Sequence, residues 1–135
     1  MATIPTVNLA AATRNIVIEQ GSSVELPFAA TRNAVPLNMA DYTLNMQVRR
    51  TYASTEVLVN CTIANGRLVW VNQLGGTFKL VLPPEATSAL RFTTEELSTG
   101  SIEAVFDIEI QNVIGGVVYK GVKGSFTINR EITRV

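Results

Sequence analysis

The residues predict an all-β fold, a sandwich or small barrel of about eight short strands, on three observations. Val, Ile and Thr supply 41 of the 135 residues, and branching at Cβ suits pleated sheet better than helix. Nine Gly, five Pro and ten Asn punctuate the chain at short intervals, as turns do between strands. Turn signals recur every eight to twelve residues or so, the spacing of sandwiches and small barrels and not of βαβ units.

Taken in order, residues 1–13 carry no clear period and read as an extended N-terminal arm, with Ile4, Val7 and Leu9 as its candidate contacts, the alternative being a frayed terminus. Residues 14–135 read as a single domain. Asn15 to Gln20 is the first strand, and Gly21-Ser22-Ser23 turns it into Val24 to Ala29, which predicts a hairpin. Pro27 cannot donate to a ladder and predicts an edge position. Thr31 to Asp41 is a connection with a turn at Asn33-Ala34. Thr43 to Arg50 alternates, placing Leu44, Met46 and Val48 inward. After a polar loop, Thr51 to Thr55, Glu56 to Thr62 forms a strand and Asn65-Gly66 a tight turn into Leu68 to Val71.

Gly75-Gly76 precedes the strand Thr77 to Leu82, whose Phe78, Leu80 and Leu82 share a face. Residues 84–90 are the one helix-like piece, with Pro84 and Glu85 suited to a first turn. Two turns are marginal alone and need packing, so this segment is expected to cap one end of the core. Ser101 to Gln111 alternates cleanly, with Ile102, Ala104, Phe106, Ile108 and Ile110 on one face. Gly115-Gly116 turns it into Val117 to Lys123. Gly121 and Gly124 then predict a bulge or a close backbone approach, before Phe126 and Ile128.

Composition excludes much chemistry. Eleven basic and eleven acidic residues leave no net charge, so no long-range field recruits nucleic acid or an anionic membrane. There is no histidine, hence none of the commonest general base or metal ligand. A single cysteine, Cys61, precludes an internal disulfide, and its alternating strand makes it a small core residue. Met1 to Pro5 lacks the basic and apolar regions of a secretory signal, and no apolar run is long enough to span a bilayer. Charged residues are only 16% of the chain and the mean hydropathy is +0.24. That balance predicts either an unusually large core fraction or, as the preferred reading for a small domain, surface buried against other chains.

Glu103, Asp107 and Glu109 share a strand face, and alternate positions bring Asp107 and Glu109 within the range of a glycosidase carboxylate pair. Such a pair needs dissimilar surroundings, whereas Lys120 and Lys123 across the hairpin predict plain ion pairs. Asp41 and Asp107 could offer oxygen to calcium, but no loop spacing supports a site. No metal and no cofactor are expected, and no catalytic residue is assigned. Tyr42, Tyr52, Trp70 and Tyr119 could stack on a sugar. Trp70 reads as core, and Tyr52, in the polar loop, is the best exposed. A carbohydrate-recognising module therefore stays as an alternative, although a glycan is not among the expected partners.

Three segments carry a resemblance. The first runs from Gln20-Gly21 through Pro36-Leu37-Asn38-Met39-Ala40-Asp41-Tyr42 to Met46-Gln47-Val48-Arg49. The second is Gly76-Thr77-Phe78-Lys79-Leu80-Val81-Leu82 with Pro83-Pro84-Glu85-Ala86-Thr87-Ser88-Ala89-Leu90. The third joins Phe106-Asp107-Ile108-Glu109-Ile110 to Gly116-Val117-Val118-Tyr119-Lys120-Gly121-Val122-Lys123-Gly124 and closes on Glu131-Ile132-Thr133-Arg134. Together they resemble bacteriophage tail and baseplate structural proteins, and are similar to the Ig-like N-terminal domain of phage baseplate upper proteins. Asn33-Ala34 stands where a glycine turn is usual and Phe106 where a tyrosine is common.

The resemblance implies an Ig-like antiparallel β-sandwich and a non-enzymatic virion protein, assembled in the host cytoplasm. Its role would be a baseplate or tail-fibre adaptor whose partners are other tail, baseplate or fibre proteins. Strand edges, arm and apolar contacts would join them, in a homo-oligomer of three- or six-fold symmetry. A capsid decoration module is a further alternative. The candidate interface residues are Ile4, Val7, Leu9, Arg49, Tyr52, Arg130 and Arg134.

Overall fold

The computed structural model describes residues 12–32 and 35–131. Eleven strands occur among them: β1 (Ala12–Thr13), β2 (Ile16–Glu19), β3 (Val24–Ala29), β4 (Thr31–Arg32), β5 (Val35–Pro36), β6 (Tyr42–Arg49), β7 (Val59–Thr62), β8 (Leu68–Asn72), β9 (Thr77–Leu82), β10 (Ser101–Asn112) and β11 (Val118–Asn129). Eight of them are four residues or longer, the number expected. The larger sheet runs β1-β11-β10-β6-β7, with β2 also on β11; the smaller runs β3-β9-β8. They form a sandwich-like, all-β arrangement.

Alternation explains the packing. Ile16 and Ile18, then Leu44, Met46 and Val48, then Ile102 through Ile110, Phe126 and Ile128 bury the inner face of the larger sheet. Phe28, Leu68, Phe78, Leu80 and Leu82 oppose them from the smaller. Each such side chain contributes about 1.5–3 kcal/mol on burial. Phe28 stacks on Phe78 at 5.4 Å and Phe106 meets Phe126 edge-on at 6.0 Å. Cys61 and Trp70 take core places as expected; Trp70 packs edge-on against Phe78.

The expected hairpin of Asn15–Gln20 with Val24–Ala29 does not form. β2 pairs in parallel with β11 and β3 pairs antiparallel with β9, so the turn at Gly21 carries the chain from one sheet to the other. The physical reason is that both strands aim apolar residues at one core from opposite sides, and a turn signal fixes a reversal, not a pairing. Pro27 does sit on an edge strand. The strand expected from Glu56 begins only at Val59, because Glu56 turns instead to Arg50. The turn at Asn33-Ala34 lies outside the described residues. So do residues 1–11 of the expected arm, while Ala12–Thr13 lie along Val122–Lys123 of β11.

The helical piece expected at 84–90 is a single turn, α1 (Glu85–Ser88), packed on the core through Ala86 and followed by Leu90. Thr87 is buried and its hydroxyl accepts from the Gly21 N–H at 2.8 Å, tying α1 to the β2–β3 turn. A second helix, α2 (Thr94–Thr99), was not expected. Its capping box is in the sequence: Thr93 accepts from the Glu96 N–H, Glu96 accepts from the Thr93 N–H, and Gly100 closes the end at φ 85°.

One glycine in β11 is required sterically and a second marks a bulge. A Cβ on Gly124 would come within 1.8 Å of the Arg14 carbonyl oxygen, where the edge formed by β1 and β2 crosses it. Gly121 is the extra residue of a bulge, since Val122 faces Ile108 but Lys120 faces Glu109. A Cβ there would meet Ile110 at 2.8 Å.

Candidate functional site: the outer face beneath Tyr52

The outward residues of β6, β10 and β11 build the most structured polar surface. Register aligns them in rows: Arg49 beside Val105, Gln47–Asp107–Lys123, and Asn45–Glu109–Lys120. The Gly121 bulge makes the third row possible. Strict alternation back from the exposed Lys123 would point Lys120 inward; one extra residue turns it outward. Its ammonium then reaches Asp107 at 3.3 Å and Glu109 at 2.9 Å. The hydrogen bond to Glu109, followed by the charges of both carboxylates, holds the Lys120 pKa above its ordinary value against partial desolvation.

On β6 the Arg49 guanidinium donates to Gln47 Oε1 at 2.7 and 3.3 Å and to the Ser54 carbonyl at 2.6 Å. That last bond anchors the loop after β6, which is closed on itself by Ser54 N–H to Thr51 O and by Thr51 N–H to Ser54 Oγ, both 3.1 Å. Tyr52 stands at the apex of this pinned turn and is 66% exposed. Two hollows flank it, of about 250 Å³ and about 230 Å³. Gln47, Arg49, Val105 and Glu109 line the first; Val122 and Lys123 line the second; Tyr52, Asp107 and Lys120 line both.

The structure therefore brings together Arg49 and Tyr52, and adds Asp107, Glu109 and Lys120. Arg130 is elsewhere, beside Gln20, Phe92, Leu97 and Glu131. Ile4, Val7, Leu9 and Arg134 lie outside the described residues. Tyr42 and Tyr119 pack on the core, which leaves Tyr52 as the exposed member of the four aromatics. Lys120 makes the expected ion pairs; Lys123 lies opposite Asp107 in register only. As a glycosidase pair Asp107 and Glu109 fail on geometry: both hang on one ammonium in similarly open settings, so nothing divides acid from nucleophile. Burial pushes the Cys61 thiol up to about 12, far from a nucleophile. Among the described residues no three His, Cys, Asp or Glu side chains gather as metal ligands, and no helix is long and apolar enough to cross a membrane.

Two features escaped the sequence reading. Arg50 donates twice to Glu96 at 2.9 and 3.0 Å, to Glu56 at 2.7 Å and to the Arg91 carbonyl at 2.7 Å, so one guanidinium fastens α2 and the β6–β7 loop. The hydrogen bonds from Arg50 hold the Glu96 carboxyl below the usual range. The other is the tip of the β10–β11 hairpin, where Val113, Ile114, Val117 and Val118 are all exposed, Ile114 by 77%. The signal was present as apolar pairs flanking Gly115-Gly116, of which Val117-Val118 falls in the expected returning strand and Val113-Ile114 in no expected element.

No protein-family description matches the chain, and no curated protein does. Among solved structures it is similar to the "N-terminal domain of phage TP901-1 ORF48", at 19% identity and a TM-score of 0.43, over 87% of this chain and 85% of that one. A superposition this loose transfers neither site residues nor activity.

Proposed function

We propose that the chain is a non-enzymatic structural protein of a phage virion, an adaptor of the tail, baseplate or fibre that works by contact. Residues 14–135 would act as one domain and residues 1–13 as an arm laid against a neighbour. The three-segment resemblance supports the virion setting. The observation that carries the contact role is the apolar hairpin tip, four exposed branched side chains around one turn, in a chain with few charges.

The strand edges support the same reading. On β7 the Asn60 carbonyl is covered by Asn65 Nδ2 at 2.9 Å and Arg67 Nη1 at 3.1 Å. On β3, Pro27 lacks a donor and its carbonyl accepts from Arg14 at 3.0 Å. Leu68 to Val71 of β8 have no such side-chain cover among the described residues, and Val71 and Leu74 at that end are exposed. Natural edges are usually blunted, so the open β8 edge offers a place for a partner strand. Residues 39–41 bond both regions, through Met39 to Gln73 and through Asp41 to Val113, which sets strand edge and tip at adjoining places. A ring of three or six copies would repeat that interface.

Mass spectrometry of purified particles of the virus encoding it is expected to find the chain in stoichiometric amount. The double variant Val113→Ser/Ile114→Ser is expected to be lost from those particles while remaining folded. Absence of the native chain from particles overturns the reading.

A further inference from the structure

We propose that the two hollows flanking Tyr52 form a binding groove for a neutral saccharide. This is independent of the adaptor role, because it uses the outer sheet face and not the tip or the β8 edge. Four observations converge. Tyr52 presents its ring to solvent from a turn fixed by Arg49 and Ser54, so little conformational entropy is lost when a sugar face stacks on it. The floor offers acceptors and donors side by side: Asp107 and Glu109 carboxylates, the Gln47 amide, and the Arg49 and Lys120 cations. Adjacent hydroxyls of a pyranose need that mixture, each both donating and accepting.

The floor is also preorganised. Lys120 is held by two carboxylates and Arg49 by Gln47, so these polar groups keep their places before ligand arrives. Finally, the charges interleave: three cations and two carboxylates line the paired hollows, and the ammonium nearest the carboxylates is already neutralised. A cationic ligand gains little from such a surface. An anionic one meets, among the described residues, only Lys123 free of both an ion pair and the hydrogen bonds that hold Arg49, whereas a polyhydroxylated neutral one can use the mixed donors and acceptors of both hollows. Val105 and Val122 supply apolar patches for the ring's C–H faces. Tyr52 lines both hollows, each roomy enough for one ring, so a saccharide of two or more rings that reaches across them fits better than a single ring.

The test is heteronuclear NMR titration of the full chain with glucose, galactose, N-acetylglucosamine, maltose, lactose and chitobiose, with sodium phosphate and acetate as charged comparators. At least one disaccharide is expected to shift the amides of Arg49, Tyr52, Asp107 and Lys120, and to bind more tightly than its monosaccharide. Tyr52→Ala is expected to weaken it by about tenfold or more, the worth of one stacking contact. Tyr52→Phe, which keeps the ring, is expected to retain it, and Arg130→Ala to leave it unchanged. Silence to every sugar overturns the proposal. So do shifts that survive Tyr52→Ala, or phosphate or acetate binding in place of sugar.

Discussion

The outer face beneath Tyr52 and the hairpin tip are carried by the same two strands, yet their chemistry is opposite. Along β10 and β11 the outward residues Asp107 and Glu109 share the ammonium of Lys120. A few residues on, the turn that joins the same strands exposes Val113, Ile114 and Val117, with Val118 at the start of β11. The inward residues are alike throughout, from Ile102 to Ile110. Folding therefore constrains one side of these strands, and the other is free to differ according to what meets it. A paired polar floor suits a small polar ligand; an unpaired apolar tip suits another protein.

The largest effect expected belongs to the side both regions share. Phe106 is buried, meets Phe126 edge-on and lies under the groove floor. Phe106→Ala is expected to cost about 3–5 kcal/mol, read as a lower denaturant midpoint in chemical unfolding. Groove and tip resonances are expected to vanish in one transition. Separate transitions would break the comparison, since the two regions would then not share one inner face.

Inward residues were legible in the sequence because a period of two marks them without reference to any partner. Leu44, Met46 and Val48 are buried as alternation places them. Pairing was not legible. Ile16 and Ile18 could face Val24 to Ala29 or Phe126 and Ile128 equally well by pattern, and only three-dimensional closure selects the latter. Lys120 shows the same limit at the site: its outward aim depends on a bulge whose glycine was visible but whose register was not. The α2 capping box lay in plain view at Thr93 and Glu96, hidden by a β-rich composition. Tyr52 was recognised as exposed; its standing over two hollows depends on Arg49 reaching the Ser54 carbonyl, a contact no spacing rule announces.

A smaller effect separates two ion-pair clamps by pH. Hydrogen bonds from Arg50 lower the Glu96 pKa below its ordinary 4.5. Its contribution to stability is therefore complete above that value and lost as pH falls through the lower folded one. Lys120 has the opposite sign: raised above 10.5, its contribution is complete below that value and lost as pH rises through the higher folded one. Unfolding midpoints measured across both ranges are expected to fall at each extreme. Glu96→Gln is expected to lessen the acid limb, which the lowered Glu25 carboxyl shares, and Lys120→Met the alkaline limb. A swapped or unchanged pair of limbs would show that α2 and the groove floor are not held by these contacts.

The smallest expected change in stability is at the tip, and its smallness is the point. Ile114 is 77% exposed and Val113 60%, so replacing both by Ser removes almost no apolar area that folding had buried. The turn is held by backbone and by Asn112 instead. Asn112 Oδ1 accepts from the Ile114 and Gly115 N–H groups at 2.9 and 3.1 Å, and the Asn112 carbonyl from Gly116 at 2.8 Å. Val113→Ser/Ile114→Ser is thus expected to unfold within about 0.5 kcal/mol of the native chain, measured by the same denaturant titration. A loss well beyond that would mean the tip is packed within its own molecule, and the contrast with the groove would dissolve. An unchanged midpoint, together with loss from particles, would place the worth of those two side chains in contacts outside the chain.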